Sequence, residues 1–182
     1  MSFRIHIHDP QLEGPVVPWP EVPPIALLSL GTGGSQLQEY MSKITLHMLL
    51  GKGRYGAVYS ASDASGAFAI KILRSIKGDT DTTEPFFMKQ LDGNEHVLQL
   101  QDAIINPFYC ILQFPAMEMD LNSYLSACKG RIMPKRNQLS SAKHLTNAVA
   151  FLKEKRIIHR DLHSGNVLPL VRDLIGCMQQ PS

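Results

Sequence analysis

The sequence predicts an α+β chain in which an antiparallel five-stranded sheet comes first and helices follow. Residues 45–113 hold short β-rich runs separated by glycine turns, and residues 120–154 change to a helical period. The stretch before them carries neither pattern, since residues 10–24 hold six of the twelve prolines. Strands gathered ahead of helices, without strict alternation, are the signature of this class.

The elements follow in order. Pro10, Pro15, Pro18, Pro20, Pro23 and Pro24 remove backbone donors and favour extended chain, so residues 1–39 are expected to be a flexible leader. Thr45 to Leu50, Ala57 to Ser62 and Ala67 to Leu73 are predicted strands of an antiparallel meander, joined by a glycine-rich turn and by Asp63-Ala64-Ser65-Gly66. Val97 to Ile104 and Phe108 to Gln113 complete the sheet after a short helical segment. Leu121, Tyr124, Leu125 and Cys128 then repeat at i, i+3, i+4 and i+7, with Asp120 placed to cap the helix. A second helix is predicted from Ser140 to Glu154, with the stripe Leu145, Ala148, Val149 and Leu152.

Composition narrows the function only a little. The 182 residues are 44% hydrophobic and 19% charged, with a formal net charge of +2, too mild for a nucleic-acid surface. Cys110, Cys128 and Cys177 are widely spaced and form no CxxC pair, which suits reduced thiols in an intracellular, cytoplasmic protein. The N-terminus has no charged region followed by a long apolar run, and Ile25 to Leu30 is too short to span a bilayer. Neither secretion nor a membrane partner is expected.

Three segments carry chemistry. In LLGKGRYGAVYSA, Gly51, Gly53 and Gly56 stand in G-x-G-x-x-G-x-V spacing ending on Val58, between two strands. A hairpin loop of that kind can close its backbone amides over phosphates, because glycine keeps no side chain between amide and oxygen. Fifteen residues after Gly56, Lys71 interrupts the apolar strand Phe68-Ala69-Ile70, and a lysine among buried positions needs an anionic partner. Taken alone it would better suit the solvent face of an edge strand, but behind a glycine loop at this distance it does not. The third segment, IIHRDLHSGNVL, places His159, Arg160, Asp161 and Asn166 directly after the amphipathic helix. Asp161 can accept a proton from an attacking hydroxyl, and Asn166 offers an oxygen of the type magnesium prefers.

From the first strand through this loop, roughly residues 44–168, the chain resembles the eukaryotic-type protein kinases, with three motifs in family order. The resemblance implies a kinase-like fold: residues 40–113 as the small lobe, 114–119 as the hinge and 120–168 as the opening of an α-rich large lobe. It implies ATP and Mg2+ as cofactors and transfer of the γ-phosphoryl group to a protein hydroxyl, with a leaning to serine or threonine. By the same resemblance Gly51, Gly53 and Gly56 cover the phosphates and Lys71 holds the α- and β-phosphates. Asp161 is the catalytic base, Asn166 a magnesium ligand and Arg160 the arginine that can meet a phosphorylated activation loop. Leu50, Val58 and Ala69 would wall the adenine, Phe114 would be the gatekeeper, and Pro115 to Met117 would present backbone groups to the base. Asp120 would sit near the ribose, or serve only as a helix cap. The implied partners are a protein substrate or a regulatory protein.

The sequence also departs from the family pattern. The glutamate that pairs with the lysine is unassigned: Glu84 is nearest, but Pro85 puts it at a helix start, and Glu95 falls in a loop. His163 stands where serine/threonine kinases usually have lysine. Asp-Phe-Gly is absent, and Asp173-Leu174-Ile175-Gly176 follows Asn166 after only six residues, too few for a hairpin. The reading is therefore of a kinase domain that breaks off after its catalytic loop, with residues 169–182 as an unrelated tail. A kinase-like module that binds nucleotide or a partner without catalysis is the alternative.

Overall fold

A computed structural model describes residues 3–5, 34–53, 56–74, 83–105 and 109–169. Their elements are β1 (Phe3–Ile5), α1 (Gly34–Lys43), β2 (Thr45–Lys52), β3 (Gly56–Asp63), β4 (Gly66–Arg74) and α2 (Thr83–Gln90). There follow β5 (Asp102–Ile105), β6 (Tyr109–Pro115), α3 (Leu121–Ala127), α4 (Lys135–Glu154) and β7 (Val167–Pro169), with 3-10 turns at Lys129–Arg131 and Ser164–Asn166. The chain divides into two compact units, one from Gln11–Pro85 and Leu100–Ala116, the other from Met1–Pro10, Phe86–Gln99 and Met117–Ser182.

The first unit is the expected five-stranded antiparallel sheet, in the order β2-β3-β4-β6-β5. Its strands alternate side chains between two faces. Ala57, Tyr59 and Ala61 of β3, Phe68, Ile70 and Ile72 of β4 and Ile111 of β6 form a buried cluster on one face. Tyr40, Met41 and Ile44, from α1 and the residue after it, pack against that cluster. Burying each large side chain there contributes roughly 1.5–3 kcal/mol. The Tyr40 hydroxyl also donates to Gln113 Oε1 at 2.7 Å, fastening α1 to β6. Burial, and then the carboxylates of Asp102 and Asp63, push the Tyr40 hydroxyl up to about 12. The predicted turn joins β3 and β4: Asp63 Oδ1 accepts from Ser65 N at 2.7 Å, Ser65 Oγ at 2.6 Å and Gly66 N at 3.2 Å. The Ser65 hydroxyl, with the backbone donors, holds the Asp63 carboxyl below its ordinary range. Gly66 takes a φ of 137°, which few residues with a side chain adopt.

In the second unit Asp120 caps α3 as expected, its Oδ1 accepting from Ser123 N at 2.9 Å and its Oδ2 from Ser123 Oγ at 3.0 Å. Tyr124 and Cys128 are buried on the inner side of α3, with Met119, Leu121 and Met133 around them. Helix α3 lies beside the Ser164–Asn166 turn and β7, and β1 pairs antiparallel with β7, Ile5 opposite Val167.

Three boundaries differ from the sequence expectation. Helix α4 begins five residues before Ser140, because the Pro134 carbonyl receives Asn137 N at 2.8 Å and Gln138 N at 3.2 Å and starts the helix there. Asn137, buried in its first turn, is polar: its Nδ2 donates to the Tyr124 hydroxyl at 3.2 Å, so an apolar stripe does not register it. The strand expected from Val97 begins only at Asp102. Gln99 Nε2 donates to Asn94 O at 2.9 Å and to Val97 O at 2.8 Å, and Gly93 N donates to Gln99 Oε1 at 2.7 Å. Those bonds fold residues 93–99 into a loop, although Val97 and Leu98 are buried. Third, α1 runs across the boundary at 39/40, and β1 falls within the stretch expected as leader. The proline cluster and residues 170–182 lie outside the described residues.

Candidate nucleotide and phosphoryl-transfer site

Gly51 and Lys52 close β2 opposite Val58 and Ala57 of β3, and Gly53 N donates to Gly56 O at 2.9 Å across the turn. The three glycines differ in what requires them. A Cβ on Gly56 would overlap the Ile72 carbonyl oxygen of β4 and crowd Leu73, so this glycine is dictated by the sheet's own packing. A Cβ on Gly51 would meet nothing within 4 Å, and one on Gly53 only Gly56 O at 3.9 Å. Packing against described residues therefore does not demand glycine at 51 or 53, whereas close approach of a ligand to the backbone would.

Strand register aligns the next residues. Val58 stands opposite both Gly51 and Lys71, Lys71 opposite Leu112, and Ala69 opposite Phe114. Directly opposed residues share a face, so Val58, Ala69, Lys71, Leu112 and Phe114 occupy the sheet face opposite the buried cluster described above. Phe114 and Leu112 are buried, Val58 and Ala69 half-buried, and Leu50 exposed.

Lys71 is 6% exposed, and its Nζ donates to both carboxylate oxygens of Glu84, at 2.8 and 2.7 Å. Glu84 is 2% exposed and lies in the first turn of α2. The glutamate that sequence left unassigned is thus Glu84, and the Glu95 side chain is 81% exposed. Pro85 does not prevent the pair. It occupies the first turn of the helix, where no intrahelical donor is needed, and the carboxylate before it gains from the helix N-terminus.

The second unit holds the loop after α4. His159 is buried, and its Nδ1 accepts the Asp161 amide at 3.3 Å, which shapes the chain into the loop. Arg160 is exposed and takes a φ of 63°. Asn166 Nδ2 donates to Asp161 O at 2.9 Å and to Asp161 Oδ2 at 3.1 Å. Those bonds fix the amide orientation. His163 Nε2 lies 3.6 Å from Asp161 Oδ2. No group of three or more His, Cys, Asp or Glu among the described residues could hold a metal ion alone. Of the softer expectations, Met117 is half-buried, and both carboxylate oxygens of Asp120 serve the α3 cap. Sequence reasoning missed the ordering roles of His159 and Gly165; only the HRD and SGN strings themselves could have signalled them.

The model of the protein kinase domain matches residues 44–173. The chain belongs to the protein kinase family. Curated relatives include mitogen-activated protein kinase 15 of Rattus norvegicus and of Mus musculus, each 30% identical to this kinase over 128 residues, or 65% of the chain. The matched region covers 23% of each relative's length. Membership accords with the five-stranded antiparallel sheet followed by helices. Among the described residues no helix is long and apolar enough to cross a membrane.

Proposed function

We propose that this kinase binds ATP with Mg2+ and transfers the γ-phosphoryl group to a hydroxyl, serine or threonine, of a protein substrate. The observation that carries the reading is the buried Lys71–Glu84 pair, a cation held on the same sheet face as Val58, Ala69 and Phe114. The carboxylate fixes the ammonium at one place on that face, and the α- and β-phosphates of a nucleotide are anions that a cation so placed can also serve.

The parts then have these roles. The amides at Gly51 and Gly53 cover phosphates, and Gly56 keeps the loop close to β4. Leu50, Val58 and Ala69 wall the adenine, Phe114 limits its depth, and the backbone at Met117 meets its edge. Asp120 would accept from the ribose on a lone pair that its cap bonds leave unused. The substrate hydroxyl attacks the γ-phosphorus, its proton passes to the Asp161 carboxylate, and ADP leaves. Bound magnesium would neutralise charge on the phosphates, with the Asn166 oxygen among its ligands. Arg160, exposed and cationic, is suited to a phosphorylated segment. Buried thiols at Cys110 and Cys128 accord with an intracellular protein.

Transfer from labelled ATP to casein, followed by phosphoamino-acid analysis, tests the reading. Label on serine or threonine that disappears in Asp161→Asn is the expected result; no transfer under any condition refutes catalysis. His163, in the position where a lysine is usual, favours a second reading, a module that binds nucleotide without transferring phosphate. Nucleotide binding with no labelled product would select it.

A further inference from the structure

Strand β7 starts at Val167, the residue after Asn166, so its placement fixes where the loop ends. Among the described residues its sheet has one other member, β1, with Phe3 opposite Pro169, Arg4 opposite Leu168 and Ile5 opposite Val167. Val167 and Pro169 are buried. Buried backbone groups need hydrogen-bond partners, and a strand laid alongside supplies them.

Strand β1 also lies beside α4, the helix that leads into the loop. One short strand therefore touches both the helix before residues 155–166 and the strand after them. A two-stranded ribbon is marginal in water, and packing on a helix is what makes such a ribbon persist.

The loop itself is shaped from inside. Asn166 Nδ2 donates to Asp161 O and Oδ2, the Asp161 amide to His159 Nδ1, and the Gly165 amide to His163 Nδ1 at 3.0 Å. Those bonds join loop residues to one another. Arg160 meanwhile holds a φ of 63°, a left-handed conformation that a residue with a side chain keeps only where the surrounding structure imposes it. Ends held in place are a constraint of that kind.

We infer that β1 is a positioning strand for the loop that carries Asp161 and Asn166: paired with β7 and lying against α4, its backbone holds the exit of the loop beside the helix that enters it. The consequence for catalysis rests on the reading of Asp161 as the base; the pairing does not.

Two variants of the full chain separate backbone from side chain. Along a strand the N–H groups point alternately to either side, so Arg4→Pro with Ile5→Pro removes one donor to β7 however the ladder is phased. Arg4→Ala with Ile5→Ala keeps every backbone donor. In the proline variant the amides of residues 160–168 should exchange hydrogen about tenfold faster or more, with those of β4 unchanged, when followed by mass spectrometry. In the alanine variant they should stay close to the wild type. Unchanged exchange in the proline variant, or equal acceleration in both variants, overturns the inference. Acceleration through β4 as well also overturns it, since the strand would then support the whole chain and not the loop. In casein phosphorylation the proline variant should lose about tenfold or more in kcat with KM for ATP unchanged, as for a misplaced catalytic group, and full activity there overturns the positioning role. A wild-type chain that transfers no phosphate refutes catalysis instead, and hydrogen exchange then decides the role of β1 by itself.

Discussion

Replacing Glu84 by glutamine is the perturbation that the structure makes most quantitative. Lys71 Nζ lies 2.8 and 2.7 Å from the two Glu84 oxygens, and the two residues are 6% and 2% exposed. Glutamine keeps the size of the side chain and removes the charge, leaving the ammonium without its carboxylate in a poorly solvated place. Breaking one half of a buried pair in this way costs about 3–5 kcal/mol, a large part of the roughly 5–15 kcal/mol that holds a typical domain folded. The double replacement Lys71→Met with Glu84→Leu should behave differently, because it removes both charges and keeps apolar volume. It should recover at least half of the loss, since exchanging a buried pair for apolar residues is often nearly neutral. Urea unfolding followed by far-ultraviolet circular dichroism gives all the values. A cost below about 1 kcal/mol for Glu84→Gln would mean that water reaches the pair, and a double variant no better than the single one would mean that the charges are not coupled.

Other outcomes follow from the same sheet. Gly56→Ala should destabilise by about 1–3 kcal/mol, because the new methyl group meets the Ile72 carbonyl, and Gly53→Ala, with only Gly56 O at 3.9 Å, should cost little by the same denaturation. Tyr40 holds its proton to about 12 against an ordinary 10, so the native state binds more protons than the unfolded chain between those values. The stability that Tyr40 contributes is therefore complete below pH 10 and lost as pH rises through about 12, a decline that should be shallower in Tyr40→Phe when unfolding is measured against pH. Asp120→Ala should cost about 1 kcal/mol through loss of the α3 cap, and Asp120→Asn much less, by the same comparison.

Much of the fold was legible because its signals are local. The strands from Thr45 to Leu73 alternate and are punctuated by glycine, and the cap of α3 is contained in Asp120 and Ser123. What sequence could not give depends on contacts between distant residues. Val97 and Leu98 look like strand, yet Gln99 and Asn94 divert the backbone bonds a strand would use. The start of α4 was hidden because its inward residue, Asn137, is polar and answers to Tyr124. Glu84 was discounted for its proline neighbour, when the position of a carboxylate in space, and not its place along a helix, decides whether it meets Lys71. In the loop after α4 the motif pointed to Asp161 and Asn166, and the structure joins the two by hydrogen bonds. The fold of His163 over Gly165 had no precedent in the motif itself.

The central claim, that Lys71 serves the phosphates of a bound nucleotide, is tested most directly by thermal stability with ATP, ADP and adenosine, with and without magnesium, in the wild type and in Lys71→Met. ATP at about 100 times its dissociation constant should add roughly 2.7 kcal/mol to the wild type. In Lys71→Met the shift with ATP should shrink far more than the shift with adenosine, which has no phosphate to lose a partner. A folded wild-type chain that shows no shift with any of the three ligands, or equal loss for ATP and adenosine in the variant, would contradict the account.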